Sequence, residues 1–392
     1  MADLTFLDWP FFSDVHRDLH NRVQAWCAGP LKCLETGSEE PLSVAREVRS
    51  LVEALGKAEF LITAVSGRDR VLDARSICLV REVLARHSAL ADFSFAMQGL
   101  GGGAISLFGN KAQRAGYLPR IASGNCVMAF ALSESEAGSD VASMTTKAVR
   151  NGEAWQLTGS KSWISNAGVA DAYTVFARTS EEGGTKGISA FVVDANLPGL
   201  RVEALLEITS PHPIGTIVFE NCEVPNTALI GEAGRGFAIA MSVLDTFRPS
   251  VGAAALGFSR AALDAIVEHS EKRVLFGERL SEKQMTQDKI AEIATNIDAS
   301  ALLVYRAAWS KDVKGGRISR EAAMAKLFAT ESAQQAVDAA VQLFGGQGVV
   351  RGSLPERLYR DVRPLRIYEG ASEIQKIIIA HQVLHESKEL RG

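Results

Sequence analysis

Residues 154–165, AWQLTGSKSWIS, decide the fold together with AYTVFART (172–179), ISAFVVDA (188–195) and TIVFENCEVP (216–225). Each is short, rich in β-branched and aromatic residues, and bounded by Gly, Asn, Asp or Pro, which is how strands between turns are written. No helical period separates them. Strands at this spacing predict a small antiparallel β domain of barrel or sandwich type.

On either side the apolar period lengthens to three or four. In SICLVREVLARHSALADF (76–93), Ile77, Val80, Val83, Leu84, His87 and Leu90 form one stripe, as on a packed helix. FGNKAQRAGYLPRIASGN (108–125) closes this region with a proline and a Gly-Asn turn. After GEAGRGF (231–237) the helical period returns. Ile290, Ile293, Ile297 and Val304 define one stripe; Met324, Leu327, Phe328, Val337, Val341 and Phe344 define another, stopped by Gly345-Gly346 as a glycine C-cap stops a helix. The expected fold class is α+β with several domains: an all-α domain over 1–125, the β domain over 126–235, and a C-terminal four-helix bundle over 236–392. The apolarity of the last helices also suggests a face buried in a neighbouring subunit.

The chain has 392 residues, 47% hydrophobic and 22% charged, with a net charge of −4. That composition describes a well-buried globular protein, and its interleaved charges offer no basic tract for nucleic acid. The start, MADLTFLDWPFFSD, has no basic residue before its acids and no long apolar core, so no targeting segment is expected. Later apolar runs such as VGAAALGF read as too short to span a bilayer. Cys27, Cys33, Cys78, Cys126 and Cys222 form no CxxC pair, which fits reduced thiols in a cytoplasmic setting. His16/His20 and His381/His385 stand four apart, but neither pair has the glutamate of a hydrolytic zinc helix. They read as surface or packing residues, and no metal is expected. GLGGGAIS (99–106) and GGQGVVRG (345–352) follow no strand of a strand–helix–strand unit, so a Rossmann site is not expected.

One acid needs a decision. Glu369, in RPLRIYEGASEIQKIIIA, stands between Tyr368 and Gly370 just before an apolar helical segment. It reads either as a surface carboxylate favoured by the helix dipole or as a base held in a pocket.

AFALSESEAGSDVASMTTKA (129–148), LTGSKSWISNAGVADAYTVFART (157–179), RVLFGERL (273–280), VQLFGGQGVV (341–350) and RIYEGASEIQKIIIAHQVL (366–384) occur in this order. As a set over an α–β–α chain they resemble the acyl-CoA dehydrogenase family of flavoproteins. The resemblance runs from residue 108 onward and is weaker over the first seventy residues. It implies FAD as cofactor and an acyl-CoA as substrate. Phe130, Leu132 and Ser133 match positions lining the flavin, and Trp163 and Ser165 match the aromatic residue and hydroxyl beside it. Arg273 and Phe276 resemble a pair that a neighbouring subunit supplies, the guanidinium reaching the pyrophosphate. Gln342 and Gly346 match positions near the adenosine. Ser139, Asp245, Arg248 and Gly370 match substrate-side positions.

Glu369 falls on the family's catalytic base, and Phe247 closes the alternative base position found in some relatives. The implied reaction removes the α-proton to Glu369 and passes the β-hydrogen as hydride to flavin N5. The thioester carbonyl would be held by the Glu369 N–H and a ribityl hydroxyl. A homotetramer built as a dimer of dimers is implied, as is electron-transferring flavoprotein as acceptor. Competing readings keep the fold but make the chain a silent binding module, an oxidase or a desulfinase.

Some positions depart from the pattern. Ser-Glu-Ser-Glu replaces Thr-Glu-Pro, Ala371 replaces a threonine, and Leu275 replaces a commonly polar residue. Ser210-Pro211-His212-Pro213 replaces a glycine-rich stretch, and His212 reads as a surface turn residue or as a contact to cofactor or substrate. This variant resembles a subgroup acting on short, branched or alicyclic acyl groups such as cyclohexanecarboxyl-CoA.

Overall fold

The computed structural model describes residues 4–34, 37–65 and 72–389. Five helices come first: α1 (Asp14–Ala28), α2 (Pro41–Lys57), α3 (Ala74–His87), α4 (Ala89–Phe108) and α5 (Lys111–Ala122). Eight strands follow: β1 (Met128–Ala131), β2 (Lys147–Asn151), β3 (Ala154–Ser165), β4 (Ala172–Arg178), β5 (Ile188–Asp194), β6 (Leu200–Leu205), β7 (Ile214–Pro225) and β8 (Leu229–Ile230). Then come α6 (Gly236–Lys272), a hairpin of β9 (Val274–Leu275) and β10 (Glu278–Arg279), α7 (Gln284–Trp309), α8 (Ser319–Phe344), α9 (Leu354–Val362) and α10 (Ser372–Glu389). The chain is helical at both ends with a sheet between, as the periods require.

By contact the chain groups into two compact units: residues 1–31, 73–92 and 245–392 in one, and 32–72 and 93–244 in the other. The second unit holds the sheet, in the order β6-β7-β3-β2-β4-β5-β8, with β1 added beside β4. It is mixed. Most pairs are antiparallel, but β1 runs parallel to β4, from Met128↔Ala172 to Ala131↔Val175, and β2 meets β4 in parallel at Lys147↔Arg178. The hairpin of β2 and β3 lies between them in sequence and returns the chain to β4 in the direction of β1.

β4 and β5 are buried at almost every position, so both faces are covered and the alternation of a half-exposed strand is absent. Part of that cover is α4. The Thr174 hydroxyl donates to the Gly101 carbonyl at 2.7 Å, and a Cβ on Gly101 would lie 2.6 Å from Cβ of Met128. The glycines of 99–106 thus let a helix run against a strand.

In the first unit α6 from Asp245 onward, α7, α8 and α10 make up the C-terminal bundle; α3 and the Phe6–Phe12 segment share its core, and α1 packs on α3. A Cβ on Gly252 of α6 would meet Val304 of α7 at 2.9 Å and the Ala325 carbonyl of α8 at 3.1 Å. α6 and α8 therefore approach at backbone distance, with the Val304 side chain of α7 closing on the same glycine. Ile293, Ile297 and Val304 are buried as their stripe predicts. The second stripe needs correcting. On α8 the buried positions include Ala322, Ala325, Lys326, Ala329, Ala333, Ala336, Val337 and Ala340, whereas Phe328 is exposed and Met324, Leu327, Val341 and Phe344 are half-buried. Alanines face the crowded side because only small side chains fit there.

One further expectation changes: His87 is exposed, and the 76–93 segment is two helices with a break at Ser88. Of the surface and packing readings of His16 and His20, packing is the one found: they are 4% and 3% exposed, with His16 Nε2 3.0 Å from Asp73 Oδ2. The apolar runs are also longer than they look. α6 has 37 residues and a membrane-length apolar window, but 83% of that window is buried inside the protein, as in a core helix. Gly345 does end α8, with φ +60°.

Candidate active site

In the helical unit the short turn before α10 holds Glu369 in the left-handed region, φ +52°, followed by Gly370 at φ +90°. A glutamate pays a steric penalty there, so its surroundings must hold it. They do so by its carbonyls. Arg248 Nε of α6 donates to the Glu369 carbonyl at 3.3 Å, and Gln375 Nε2 of α10 reaches it at 3.4 Å. The Gly370 carbonyl accepts from Gln375 Nε2 and from Lys326 Nζ of α8, each at 2.8 Å. A Cβ at Gly370 would stand 2.5 Å from Gln375 Nε2, so glycine is what lets that amide close in.

The carboxylate itself is treated differently. Glu369 Oε2 is covered from solvent and has no hydrogen-bond partner among the described residues. Burial raises its pKa above the ordinary carboxylate value; Arg81, Arg248 and Lys326 pull downward without cancelling the rise. Arg81 is itself held by Asp92, Nε to Oδ1 and Nη2 to Oδ2 each at 2.8 Å. Arg248 is steadied by Asp245 at 3.1 Å, and Asp245 Oδ2 accepts from the Ser319 hydroxyl at 2.8 Å. Asp245, Arg248, Glu369 and Gly370 are thus joined through Arg248 and the turn. The surface-carboxylate reading of Glu369 does not fit a covered, unpartnered oxygen.

A second cluster lies in the sheet unit. Between Lys161 and Ile164 the β3–β7 register slips, and in that bulge Trp163 takes φ +62° and leaves its side chain 57% exposed. The bulge turns an indole outward from a strand whose neighbours, Lys161 and Ile164, are buried. Ser165 and Ser133 are half-buried, while Phe130 and Leu132 are buried. The 132–134 loop is tied to β3 twice: the Ser162 N–H donates to the Ser133 carbonyl at 3.0 Å, and Lys161 Nζ donates to the Leu132 carbonyl at 3.0 Å.

Lys161 also pairs with Glu134 at 2.9 Å. Glu134 in turn accepts from the Thr145 N–H at 2.7 Å, its hydroxyl at 2.8 Å, and the Thr146 N–H at 2.9 Å. An outward indole on a rigid, strained strand, with hydroxyls nearby in sequence, fits a flat apolar ring with a polar edge.

Among the described residues the other predicted ones share no hydrogen bond with either cluster. Ser139, Arg273, Gln342 and Gly346 are exposed. Phe276 is 98% exposed at the tip of the β9–β10 hairpin, where it and Gly277 both have positive φ, +53° and +81°. Those angles belong to a tight two-residue turn, which projects the ring away from the bundle. His212 is not a surface turn residue. Its ring packs 4.3 Å from that of Phe93, its Nδ1 lies 3.0 Å from the Ser210 carbonyl, and burial pulls its pKa to about 4.

The sequence reading missed Arg81, Glu134, Lys161, Lys326 and Gln375. Two of these had a signal. Lys161 shares the strand face of Trp155 and Leu157, and Lys326 sits within the alanine stripe of α8, so each period places a lysine among core positions.

Three family profiles match in order: "Acyl-CoA dehydrogenase, N-terminal domain" over residues 13–125, the middle domain over 129–222 and the C-terminal domain over 234–384. The chain is 38% identical over 343 residues to cyclohexane-1-carbonyl-CoA dehydrogenase of Geobacter metallireducens, covering 87% of this chain and 90% of that protein. Among solved structures, butyryl-CoA dehydrogenase of Megasphaera elsdenii superposes with a TM-score of 0.86 at 30% identity, over 95% of this chain and 99% of that one. A glutaryl-CoA dehydrogenase of Mycobacterium smegmatis in complex with FADH2 also gives 0.86, at 26% identity over 95% of each chain.

Proposed function

The chain belongs to the acyl-CoA dehydrogenase family, and from that premise we propose that it desaturates an acyl-CoA thioester between its α and β carbons, with Glu369 as base and FAD as cofactor. The observation that carries this reading is the covered, unpartnered Glu369 Oε2, on a carboxyl whose basicity burial has raised. A base needs a free lone pair and a pKa above that of an ordinary carboxylate; this group has both. Its task is to take the α-proton at that oxygen. The clamp on the 369 and 370 carbonyls fixes the turn, so the Glu369 N–H has a set direction from which to bond the thioester oxygen as charge develops.

The chemistry supplied by bound FAD is acceptance of the β-hydrogen as hydride. Trp163 would cover the ring face, Ser133 and Ser165 would bond its polar edge, and Phe130 and Leu132 would line it. Arg273, Phe276, Gln342 and Gly346 would serve the pyrophosphate and adenosine from a neighbouring subunit, so a monomer would not hold the cofactor; the working form we propose, by likeness to the family, is a homotetramer. Ser139, Asp245, Arg248 and Gly370 would face the thioester. The acyl group is short, branched or alicyclic; the similarity to an enzyme named for cyclohexane-1-carbonyl-CoA supports this. Electrons leave to electron-transferring flavoprotein, in the cytoplasm.

The test is optical. Purified holoenzyme should lose its flavin absorbance on mixing with cyclohexanecarboxyl-CoA or butyryl-CoA, and Glu369→Gln should stay yellow while still binding the thioester. A wild-type spectrum unchanged by either compound would refute the proposal.

A further inference from the structure

Lys326 is a lysine where packing asks for something smaller or apolar. Its residue is 0% exposed on the alanine-lined face of α8, and its one hydrogen bond among the described residues is to the Gly370 carbonyl at 2.8 Å. Among the described residues no carboxylate stands within ion-pair distance of its ammonium, whose hydrogen bond goes to a carbonyl instead. Burying an ammonium for a single carbonyl is costly, and an alkyl side chain would fill the same space without that cost. Something in the site must use the charge.

We propose that Lys326 is a positioning residue for Glu369: its ammonium holds the Gly370 carbonyl, locks the left-handed turn that aims the carboxylate, and keeps a positive charge beside that carboxylate. The proposal rests on the reading of Glu369 as the base. Three side chains from three helices make the clamp, Arg248 of α6, Lys326 of α8 and Gln375 of α10. Arg248 is paired with Asp245, and Gln375 is neutral with its Oε1 buried and unbonded. Lys326 is therefore the clamp member whose charge has no paired acid. The charged groups facing Glu369 are Arg81 and Asp92, Arg248, and Lys326; those facing Lys326 are Glu369, Arg248, Glu331 and Glu373. Burial brings the Lys326 pKa down to about 8, within reach of an ordinary titration.

The experiment follows flavin bleaching by butyryl-CoA and cyclohexanecarboxyl-CoA in the holoenzyme by stopped flow, from about pH 5.5 to about pH 10. The wild type should show an acid limb from Glu369 and an alkaline limb near pH 8 from Lys326. Lys326→Gln keeps a donor to the Gly370 carbonyl and drops the charge. It should lose the alkaline limb, move the acid limb to higher pH, and lower the rate roughly tenfold with little change in KM. Lys326→Arg should keep the acid limb where the wild type has it. Lys326→Met, losing both functions, should fall roughly a hundredfold.

Lys326→Gln with a wild-type profile overturns the proposal. If that variant does not retain FAD, a wild-type rate that is flat through pH 8 overturns it equally. Glu369→Gln separates the two claims. A wild type that bleaches, a Glu369→Gln that does not, and a Lys326→Gln that matches wild type defeat the clamp alone; a wild type that never bleaches defeats the base and the clamp together.

Discussion

Replacing Lys161 by methionine tests how the Trp163 strand is held. The Lys161 side chain is 0% exposed and that of Glu134 is 7% exposed, with 2.9 Å between Nζ and Oε1. The two partners pull in opposite directions. Burial lowers the Lys161 pKa from 10.5 to about 8, so folding disfavours its ammonium by about 3 kcal/mol. That penalty is full below pH 8 and fades as pH climbs through 10.5. Glu134 moves from 4.5 to about 2: burial opposes this, but Lys161 and the bonds from Thr145 and Thr146 prevail. Its contribution is present above pH 4.5 and is lost as pH falls through about 2.

A pair with one gain and one loss is close to neutral as a unit, yet removing one member strands the other. Lys161→Met should therefore destabilise the sheet by about 3–5 kcal/mol, while Lys161→Met with Glu134→Gln should recover most of it. Native-state hydrogen exchange at the β3 amides reads the sheet unit without relying on global unfolding. A single-variant loss under about 1 kcal/mol, or a double variant no better than the single, would refute the argument. The single variant should also shed FAD faster, since the Leu132 carbonyl loses its tether.

Other expectations follow from the same geometry. Glu369→Gln should slow flavin bleaching by about 10²–10⁴-fold at unchanged FAD content. In the wild type, the acid limb should lie above pH 4.5, because a carboxyl with a raised pKa must still be ionised to act. Gly370→Ala must accept φ +90° and a Cβ 2.5 Å from Gln375 Nε2. It should cost about 1–3 kcal/mol by thermal shift and lower kcat more than it raises KM. Trp163→Ala removes a side chain that is 57% exposed, so stability should change by less than about 0.5 kcal/mol while FAD is released faster on dilution. Full FAD retention in that variant would count against the ring-cover role. Arg273→Ala should lower FAD retention and tetramer content together on size exclusion, and a stable, fully loaded monomer would contradict a cofactor shared between subunits.

The helix–sheet–helix order was legible because each element carries its period locally: two in β3 and β7, three to four in α3 and α7. The C-cap at Gly345 was legible for the same reason, since positive φ selects glycine from the backbone alone. The buried face of α8 was not. Large apolar residues form the conspicuous stripe, but a helix packed at backbone distance against Gly252 buries alanines instead. The parallel pairing of β1 with β4 was equally hidden, because pairing partners lie 44 residues apart in the chain and no local pattern names them.

The sequence by itself determined the helix–sheet–helix order, the stop of α8 at Gly345, and the ordered motifs in which Glu369, Gly370, Arg248 and Asp245 stand. These depend on short-range periodicity, backbone preference and ordered motifs. Only the tertiary structure decided that Glu369 has an unpartnered oxygen, that Lys326 and Gln375 grip the carbonyls beside it, and that Trp163 turns outward at a bulge. Those facts depend on burial and on hydrogen bonds between residues up to 121 positions apart, such as Arg248 and Glu369. A carboxylate's basicity is set by the charges and the water around it, and both are consequences of packing.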